Sequence, residues 1–177
     1  MPLSNRLQLV SGDITVLEVD AIVTAANAAL AGGGGVDGAV HRAAGPQLLA
    51  ECRTLDGCPS GEARITAGYG LAARHVIHAV GPIYAGGIQG EAETLAGAYR
   101  SSLQLAAEHA VRTIAFPCIS TGVYGYPQRQ ACQIAIDTVV AWLGGNALPE
   151  VVTFCCFGEP DTALYRQRLI ELGVECG

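Results

Sequence analysis

The residues most able to do chemistry lie in two glycine-rich segments. The first, residues 27–38, begins with Asn27 and contains four consecutive glycines followed by the carboxylate of Asp37. Because glycine has no Cβ, such a run lets the backbone approach a ligand and turn several N–H groups toward one point. A helix expected to begin near Gly38 adds partial positive charge, so the segment predicts a phosphate site. The alternative is a flexible loop in which Asp37 caps the helix.

The second segment, residues 119–127, also joins a predicted strand to a predicted helix. It carries the hydroxyls of Ser120 and Thr121 and the aromatic rings of Tyr124 and Tyr126. Neither segment matches GxGxxG or GxxxxGKS/T, yet two such loops facing one crevice would clamp a diphosphate. Both tyrosines could supply stacking surface, although Tyr126 could equally well pack the loop.

The charge composition restricts how the chain could hold a phosphate. It contains ten arginines, no lysine and a formal net charge of −6. The missing lysine excludes a Schiff-base enzyme, a P-loop lysine and a kinase-type lysine. A bound phosphate must therefore be held by backbone amides. The arginines are spread singly, so no basic stripe could follow a nucleic-acid backbone, and we expect no nucleic-acid partner.

The cysteines and the apolar segments indicate the environment of the chain. Seven cysteines form no CxxC pair: Cys52, Cys58, Cys118, Cys132, Cys155, Cys156 and Cys176. An odd number without metal-ligand spacing favours reduced thiols, with neither a disulfide framework nor structural zinc. The N-terminus has no apolar signal segment, and no stretch is long and apolar enough to cross a bilayer. We therefore expect a cytoplasmic protein without membrane contact, metal or cofactor. Because no apolar stripe is left over after the core is assigned, we expect a monomer.

Short apolar runs alternate with helical patterns along the chain. The runs are typical of buried strands and occupy residues 7–10, 21–25, 75–80, 113–116 and 151–155. Helical patterns occupy residues 38–44, 46–52, 91–110, 127–143 and 161–172. This alternation predicts one α/β domain over residues 1–177, with three layers, α/β/α, around a central mixed, largely parallel sheet. Ligands of such folds lie at the carboxyl ends of the strands, where both glycine-rich segments begin.

Other catalytic arrangements fit the sequence less well. Ser120 lies outside any GxSxG elbow and has no neighbouring histidine, so its hydroxyl is better assigned to the phosphate loop than to a serine hydrolase. Cys118 could be a nucleophile, but a small buried residue is the better interpretation. The four histidines form no HExxH pattern, so no catalytic metal is expected.

Several motifs together resemble the macrodomain family. They read GDIT, DAIVxAAN, GGGGVDGAVHRAAG, GP and PCISTGVYGYP in this order, and the similarity covers residues 7–157. It is greatest to the MacroD-type hydrolases, which include bacterial O-acetyl-ADP-ribose deacetylases. The resemblance implies a macrodomain fold and a hydrolase acting on a bond at the distal ribose of its ligand. The implied partners are ADP-ribose, O-acetyl-ADP-ribose or a mono-ADP-ribosylated protein.

The resemblance also assigns roles at the two ends of the expected ligand. The Asp13 carboxylate would accept a hydrogen bond from the adenine amino group, and the Ile14 amide would bond a ring nitrogen. Phe157 would lie against the base. Without the resemblance, Asp13 is interpreted as a turn or cap residue and Phe157 as part of the core. Two sets of loop residues would hold the diphosphate: Gly33, Gly34, Gly35 and Val36 in the first segment, and Ser120, Thr121, Gly122 and Val123 in the second.

The resemblance places three catalytic residues, Asn27, Asp37 and Tyr124, around the distal ribose. Cleavage at the anomeric carbon passes through an oxocarbenium-like state, which requires a nearby carboxylate and a positioned water. Asp37 would act as base, Asn27 would orient the ribose hydroxyls and Tyr124 would cover the sugar. With O-acetyl-ADP-ribose the same water would attack an ester carbonyl. The sequence leaves open which bond is cleaved and whether a ligand phosphate shares the role of the base.

One position departs from the family pattern. The family usually has asparagine where this chain has Thr24, which we count among the ligand-binding positions; threonine keeps a hydroxyl but loses the amide. We therefore expect binding to survive and turnover to be lower than with asparagine. A non-catalytic ADP-ribose reader is the main alternative, but a reader would not need Asp37 together with Asn27. An RNA-binding module is least supported, because basic patches and aromatic rows are absent.

Overall fold

A six-stranded sheet carries helices on both faces in the computed structural model, which describes residues 2–175. The strands are β1 Leu7–Ser11, β2 Ala21–Ala25, β3 Ala63–Ala67, β4 His75–Ala79, β5 Thr113–Phe116 and β6 Val151–Cys156. The α-helices are α1 Gly35–Ala44, α2 Pro46–Cys52, α3 Glu91–Glu108, α4 Gln128–Leu143 and α5 Glu159–Glu171. Two short 3-10 helices, Leu3–Asn5 and Ile14–Val16, flank β1.

The order of strands brings both glycine-rich segments to one edge of the sheet. The order is β1-β6-β5-β2-β4-β3, and neighbouring strands are parallel except for β3 and β4. In this register Thr24 of β2 lies beside His78 of β4, and Phe116 of β5 lies beside Phe154 of β6. The residues that follow the parallel strands β2, β5 and β6 therefore meet at the carboxyl edge, as the sequence predicts.

The alternation of side chains along each strand fills two cores. Ile22 and Val76 point into the core under α1 and α2, where Val40 is also buried. Their neighbours Val23 and Ile77 point to the opposite face, into the core under α3, α4 and α5. Because both faces are covered, the central strands are apolar on both sides, which is the pattern of a buried parallel sheet. The three-layer α/β/α fold with a mixed, largely parallel sheet is confirmed.

Two elements differ from the sequence-based prediction. The prediction omits β3, an edge strand paired only with β4, because its sequence ARITA lacks the continuous apolar run of the central strands. Helix α1 begins at Gly35 rather than near Gly38, since Gly34 is extended and Gly35 has a φ of 57° that turns the chain into the helix. Asp37 therefore lies inside the first turn of α1. Pro127 is the residue that caps α4 rather than its first residue.

The thiols of the described residues are free, as expected. Six of the seven cysteines lie in this part of the chain, and Cys176 lies outside it. Five of the six are buried and Cys118 is half-buried, so its thiol is the most accessible of them. Between residues 2 and 175, no helix combines the length and the apolar character needed to span a bilayer.

Candidate active site

A cleft of about 700 Å³ opens at the carboxyl edge of the sheet. We call residues 27–34 the first loop and residues 119–127 the second loop; residues of both line the cleft. Every predicted site residue except Thr24 lines the cleft: Asp13, Ile14, Asn27, Gly33, Gly34, Gly35, Val36, Asp37, Ser120, Thr121, Gly122, Val123, Tyr124 and Phe157. The volume lies in the usual range for small-molecule sites, roughly 300–1,000 Å³.

The first loop and the start of α1 present a row of free backbone amides. Within the described part of the chain, the N–H groups from Gly33 to Asp37 donate no hydrogen bond. The next amide, that of Gly38, donates to the Gly34 carbonyl at 3.2 Å. These amides also lie at the positive end of the helix dipole. The arrangement is suited to anionic oxygens and needs no lysine.

Asn27 fixes the shape of the first loop. Its Nδ2 donates to the Gly32 carbonyl at 3.0 Å, and its Oδ1 accepts from the Ala31 N–H at 3.2 Å. The side chain thus ties the loop together, while one Nδ2 hydrogen stays available for a ligand. A Cβ on Gly33 would lie 3.6 Å from both Asn27 Nδ2 and Asp37 Oδ2. Asn27 Nδ2 and Asp37 Oδ2 therefore both lie beside Gly33, on the same side of its backbone.

Asp37 is a buried carboxylate in the cleft, with 3% of its surface exposed. Its Oδ1 accepts a hydrogen bond from the Thr24 hydroxyl at 3.0 Å and lies 3.6 Å from His41 Nε2. Oδ2 is left on the side of Gly33 and Asn27. Burial raises the pKa of Asp37 above its ordinary value, although the Thr24 hydrogen bond and the His41 charge oppose the rise. A carboxylate with a raised pKa is better matched to accepting a proton from water.

Thr24 does not line the cleft, which corrects its expected place among the ligand contacts. Its side chain is fully buried, and its hydroxyl is directed at Asp37. Thr24 therefore positions the carboxylate instead of touching a ligand. The sequence pattern could not reveal this contact, because it joins β2 to α1. The alternative of Asp37 as a helix cap is wrong, since Gly34 is the N-cap residue.

The second loop presents another set of free amides. In the described residues, no N–H group of residues 121–124 donates a hydrogen bond. The loop is closed by the N–H of Tyr126, which donates to the Ser120 carbonyl at 2.9 Å. Two sets of unpaired amides thus line one cleft, which is the arrangement that a diphosphate clamp requires.

Ser120 differs from its expected role as a phosphate-loop hydroxyl. Its hydroxyl donates to the Pro82 carbonyl at 2.9 Å, and the residue adopts a φ of 68°. The loop rests directly on Gly81, where a Cβ would lie 2.1 Å from Ser120 Oγ and 2.7 Å from Ile119 Cγ2. The Ser120 side chain therefore anchors the second loop to the segment after β4 and leaves anion contacts to the backbone.

The two tyrosines of the second loop have different surroundings. Tyr126 is buried against Tyr84, with ring centroids 4.8 Å apart. Tyr124 is half-buried and lines the cleft, and its carbonyl accepts a hydrogen bond from the Tyr84 N–H at 2.8 Å. The interpretation of Tyr126 as a loop-packing residue is confirmed. Tyr124 is the ring available to cover a bound sugar.

Another part of the cleft wall combines a carboxylate with an exposed aromatic ring. Asp13 caps the 3-10 helix Ile14–Val16, and its Oδ1 accepts from the Thr15 N–H at 2.9 Å and the Thr15 hydroxyl at 2.7 Å. These bonds lower the pKa of Asp13, the hydroxyl contributing most, so the carboxylate is ionised. Ile14 begins the helix, so its N–H has no partner within it. Phe157 is 89% exposed, which makes its interpretation as core wrong.

Sequence reasoning missed several residues that line the cleft, among them Arg42 and Asp161. Arg42 lies on α1 and makes no ion pair or side-chain hydrogen bond with the described residues. Nothing in the residue pattern distinguishes Arg42 from the other single arginines, because the direction of its side chain depends on where α1 begins. Cys118 is interpreted from the sequence as a small buried residue, but it is only half-buried and also lines the cleft.

Three potential metal ligands lie together behind Asp37. One ligand atom each of His41, Cys52 and His78 lies within 4.8 Å of the others. His78 Nε2 is 2.9 Å from the Thr66 hydroxyl, and burial lowers the pKa of His78 to about 4, so its ring is neutral. Burial raises the pKa of Cys52 to about 11, so a metal ion would have to displace the thiol proton. These ligands come from three separate elements, which is why their spacing gives no signal in the sequence.

Comparisons with known proteins show which family this chain is similar to. The Macro domain family model matches residues 23–135. The O-acetyl-ADP-ribose deacetylase of Enterobacter cloacae subsp. cloacae is 53% identical over 174 residues, which cover 96% of this chain and 97% of that protein. The human ADP-ribose glycohydrolase MACROD2 is 54% identical over 171 residues, which cover 96% of this chain and 40% of that longer protein.

A solved structure shows the same likeness in three dimensions. A mutant of the Oceanobacillus iheyensis macrodomain with ADPR has a TM-score of 0.92 and 40% sequence identity to this chain. The match covers 97% of this chain and 96% of that one. With the family model spanning both glycine-rich segments and relatives more than half identical over nearly the whole length, the chain belongs to the Macro domain family.

Proposed function

We propose that this chain is an ADP-ribose-binding hydrolase that removes mono-ADP-ribose from acidic residues of proteins, deacetylates O-acetyl-ADP-ribose, or does both. The placement of Asp37 carries the proposal. This buried carboxylate lies beside Gly33 together with the amide of Asn27, in a cleft whose walls present free amides. Relatives named ADP-ribose glycohydrolase and O-acetyl-ADP-ribose deacetylase support the same class of activity.

The ligand lies along the cleft with its diphosphate between the two loops. The N–H groups from Gly33 to Asp37 and those of residues 121–124 donate to the phosphate oxygens, which makes lysine unnecessary. Asp13 accepts a hydrogen bond from the adenine amino group, and the ring of Phe157 covers the base. A base without that amino group would leave the Asp13 charge unpaired, so adenine is preferred.

Cleavage at the distal ribose uses one oxygen of Asp37 as the base. Thr24 and His41 hold Oδ1, so Oδ2 takes a proton from a water molecule. The water oxygen bonds to the anomeric carbon as the glycosidic bond breaks through an oxocarbenium-like state, and the substrate carboxylate leaves with the electron pair. Because a carboxylate is a weak base, its departure requires no separate general acid.

Deacetylation uses the same water at a different atom. The water gives a proton to Asp37 and attacks the ester carbonyl on the distal ribose. The tetrahedral intermediate then breaks its bond to the ribose oxygen, which takes that proton back from Asp37 and becomes a free hydroxyl, and the acetic acid released ionises to acetate. The free Nδ2 hydrogen of Asn27 orients the ribose, while Tyr124 covers the sugar and limits where water can enter. One site can therefore serve both bonds, since each reaction needs the same base beside the same sugar.

Calorimetric titration with ADP-ribose, together with two turnover assays, tests the proposal. The protein should bind ADP-ribose and release either ADP-ribose from proteins modified on acidic residues or acetate from O-acetyl-ADP-ribose. The matched control ligand carries hypoxanthine in place of adenine, and should bind about tenfold or more weakly because Asp13 loses its donor. Binding without turnover on either substrate would identify a reader instead of an enzyme, and no binding would contradict both.

A further inference from the structure

Two sulfur atoms lie side by side at the wall of the cleft. Cys118 follows the end of β5 by two residues and lines the cleft, and Cys156 is the last residue of β6. Their Sγ atoms are 3.7 Å apart. The parallel register of the two strands pairs Phe116 with Phe154, and two further steps along both chains bring Cys118 beside Cys156.

The backbone geometry at this pair is compatible with a disulfide. Neighbouring strands lie about 4.8 Å apart, inside the roughly 4.4–6.8 Å between Cα atoms that a disulfide spans. To reach the bonded S–S distance of about 2.05 Å, the two Sγ atoms would have to approach by about 1.6 Å. Side-chain rotation with a small backbone adjustment can supply this movement, because no strand has to change its register.

The two thiols differ in access to reagents. Cys118 is half-buried and borders the cleft, so a small oxidant can reach its sulfur. Cys156 has no exposed surface, and contact with the Cys118 sulfur, together with burial, raises the pKa of its thiol. Cys156 is therefore shielded from solution, and its thiol remains protonated until the oxidised sulfur of Cys118 reacts with it.

The neighbouring Cys155 does not compete for this partner. Successive residues of a strand point to opposite faces, and Cys155 lies in the core on the α1 side, whereas Cys156 lies in the core on the α4 side together with Cys118. The Cys155 thiol instead donates to the Gly12 carbonyl at 3.5 Å. The pairing is thus set by the strand faces and not by nearness in sequence.

We propose that Cys118 and Cys156 form an oxidation site, at which a hydroperoxide converts the two thiols to an intramolecular disulfide. The Cys118 thiolate attacks one peroxide oxygen and breaks the O–O bond, giving the sulfenic acid of Cys118 and hydroxide, or alkoxide from an organic peroxide. The Cys156 sulfur then attacks that sulfenic sulfur, forming the S–S bond as the S–O bond breaks, and the proton of the Cys156 thiol leaves with the hydroxide as water. For hydrogen peroxide, two thiols and one peroxide give one disulfide and two waters.

The disulfide would change the ligand-binding wall of the cleft. Cys118 leads directly into the second loop, and Cys156 precedes the exposed ring of Phe157. Drawing the two sulfurs together shifts the base of the loop whose amides face the cleft. This consequence rests on the proposed function, and we expect the oxidised protein to bind ADP-ribose about tenfold more weakly, with recovery after thiol reduction.

Peptide mapping under non-reducing conditions tests the oxidation site without any ligand. After treatment of the full chain with hydrogen peroxide, trypsin separates the two sulfurs, because Arg129 lies between them. We expect a peptide pair joined through Cys118, two hydrogens lighter than the separate peptides and released by a thiol reductant. Cys155→Ala should retain the cross-link and Cys156→Ala should lose it. In Cys156→Ala, a dimedone adduct should mark the sulfenic acid on Cys118.

The outcomes separate this proposal from the proposed function. A folded wild-type protein that forms no cross-link, or one whose cross-link survives Cys156→Ala, would overturn the oxidation site. Cys156 does not line the cleft, so reduced Cys156→Ala should bind ADP-ribose like the wild type. A cooperative thermal unfolding transition is the control that this variant is folded. A cross-link in a protein that does not bind ADP-ribose would leave the oxidation site standing and contradict the proposed function. Unchanged affinity after complete oxidation would overturn the effect on the second loop.

Discussion

Asp37 depends on two side chains that touch the same one of its oxygens. The Thr24 hydroxyl and the His41 ring both lie at Oδ1, on the side away from Gly33. The two oxygens of Asp37 thus have different roles, as in other catalytic pairs, in which one atom of the base is held by a neighbour and another performs the proton transfer. The residue types at Asn27 and Asp37 were visible in the sequence, but the contact with Thr24 was not. It depends on how α1 packs on β2.

Substitution of Thr24 by valine should move the acid limb of the pH profile of turnover to higher pH. Asp37 must be ionised to act as base, and burial already raises its pKa. The Thr24 hydrogen bond lowers that pKa, so its removal raises the pKa further and turnover is lost at a higher pH as the solution is acidified. The measurement is kcat against pH for the wild type and Thr24→Val.

Thr153→Val is the matched control, because Thr153 is also a buried threonine of a central strand but does not contact Asp37. Its acid limb should coincide with that of the wild type. A limb that stays in place in Thr24→Val, or moves to lower pH, would show that the hydroxyl does not stabilise the ionised form of Asp37.

The second loop is supported by the segment that follows β4. A Cβ on Gly81 would collide with both Ser120 and Ile119, so Gly81→Ala should displace the loop. Overpacking of this kind costs about 1–3 kcal/mol, and the displaced amides should also weaken ADP-ribose binding. Thermal unfolding and calorimetry measure the two effects. Gly145→Ala, where nothing lies within 4 Å of the added carbon, should change neither, and equal behaviour of the two variants would contradict this role.

The loop before α3 depends on the carboxylate of Glu91. Its oxygens accept hydrogen bonds from the N–H groups of Ala85 and Gly87 at 2.8 Å and from that of Gln89. These bonds, with that of Ala85 the strongest influence, lower the pKa of Glu91 below its ordinary value. The stabilisation is therefore fully present above the ordinary range of glutamate and is lost as the pH falls through the lowered pKa.

Glu91→Gln should consequently lower the urea midpoint of unfolding near neutral pH, and the difference from the wild type should shrink in strong acid. The amide cannot accept all three hydrogen bonds. Glu93→Gln is the control, because Glu93 is an exposed neighbour that pairs with Arg100. A difference between wild type and Glu91→Gln that persists unchanged into strong acid would indicate that the charge of Glu91 is not what holds the loop.

The elements themselves were largely predictable, and the exceptions have physical reasons. Central strands such as β2 and β5 are apolar on both faces, which marks them in the sequence. Strand β3 has one neighbour and carries an arginine, so its pattern is no more regular than that of a loop. The sequence predicts the start of α1 three residues too late, because helix propensity disfavours glycine whereas the fold uses Gly34 and Gly35 to enter the helix.

The overall charge of the protein should show in the salt dependence of binding. The protein has a formal net charge of −6 and would hold an anionic ligand mainly through amides. Added salt screens the repulsion between protein and ligand, while amide contacts are little affected. We expect the ADP-ribose affinity to stay level or rise slightly as sodium chloride is increased. A steep loss measured by calorimetry would instead indicate that Arg42 supplies the main attraction.

The fold class and the convergence of the two glycine-rich segments could be predicted from the sequence. Both follow from rules about strand order and the carboxyl edge of parallel sheets. The pairs Thr24 with Asp37 and Cys118 with Cys156 could not, because each joins elements whose mutual register a single sequence does not specify. The contact of His41 with Asp37 was hidden for a different reason: both residues lie in α1, and the contact requires this helix to begin before Gly38.

The most direct test of Asp37 as the base is the turnover number of Asp37→Asn, with ADP-ribose binding measured on the same preparation. The substitution keeps the shape of the side chain and removes its ability to take a proton. We predict a fall in kcat of about a hundred- to ten-thousandfold with binding retained, and wild-type values for the exposed control Asp56→Asn. An Asp37→Asn variant that turns over substrate as fast as the wild type would contradict the assignment of the base.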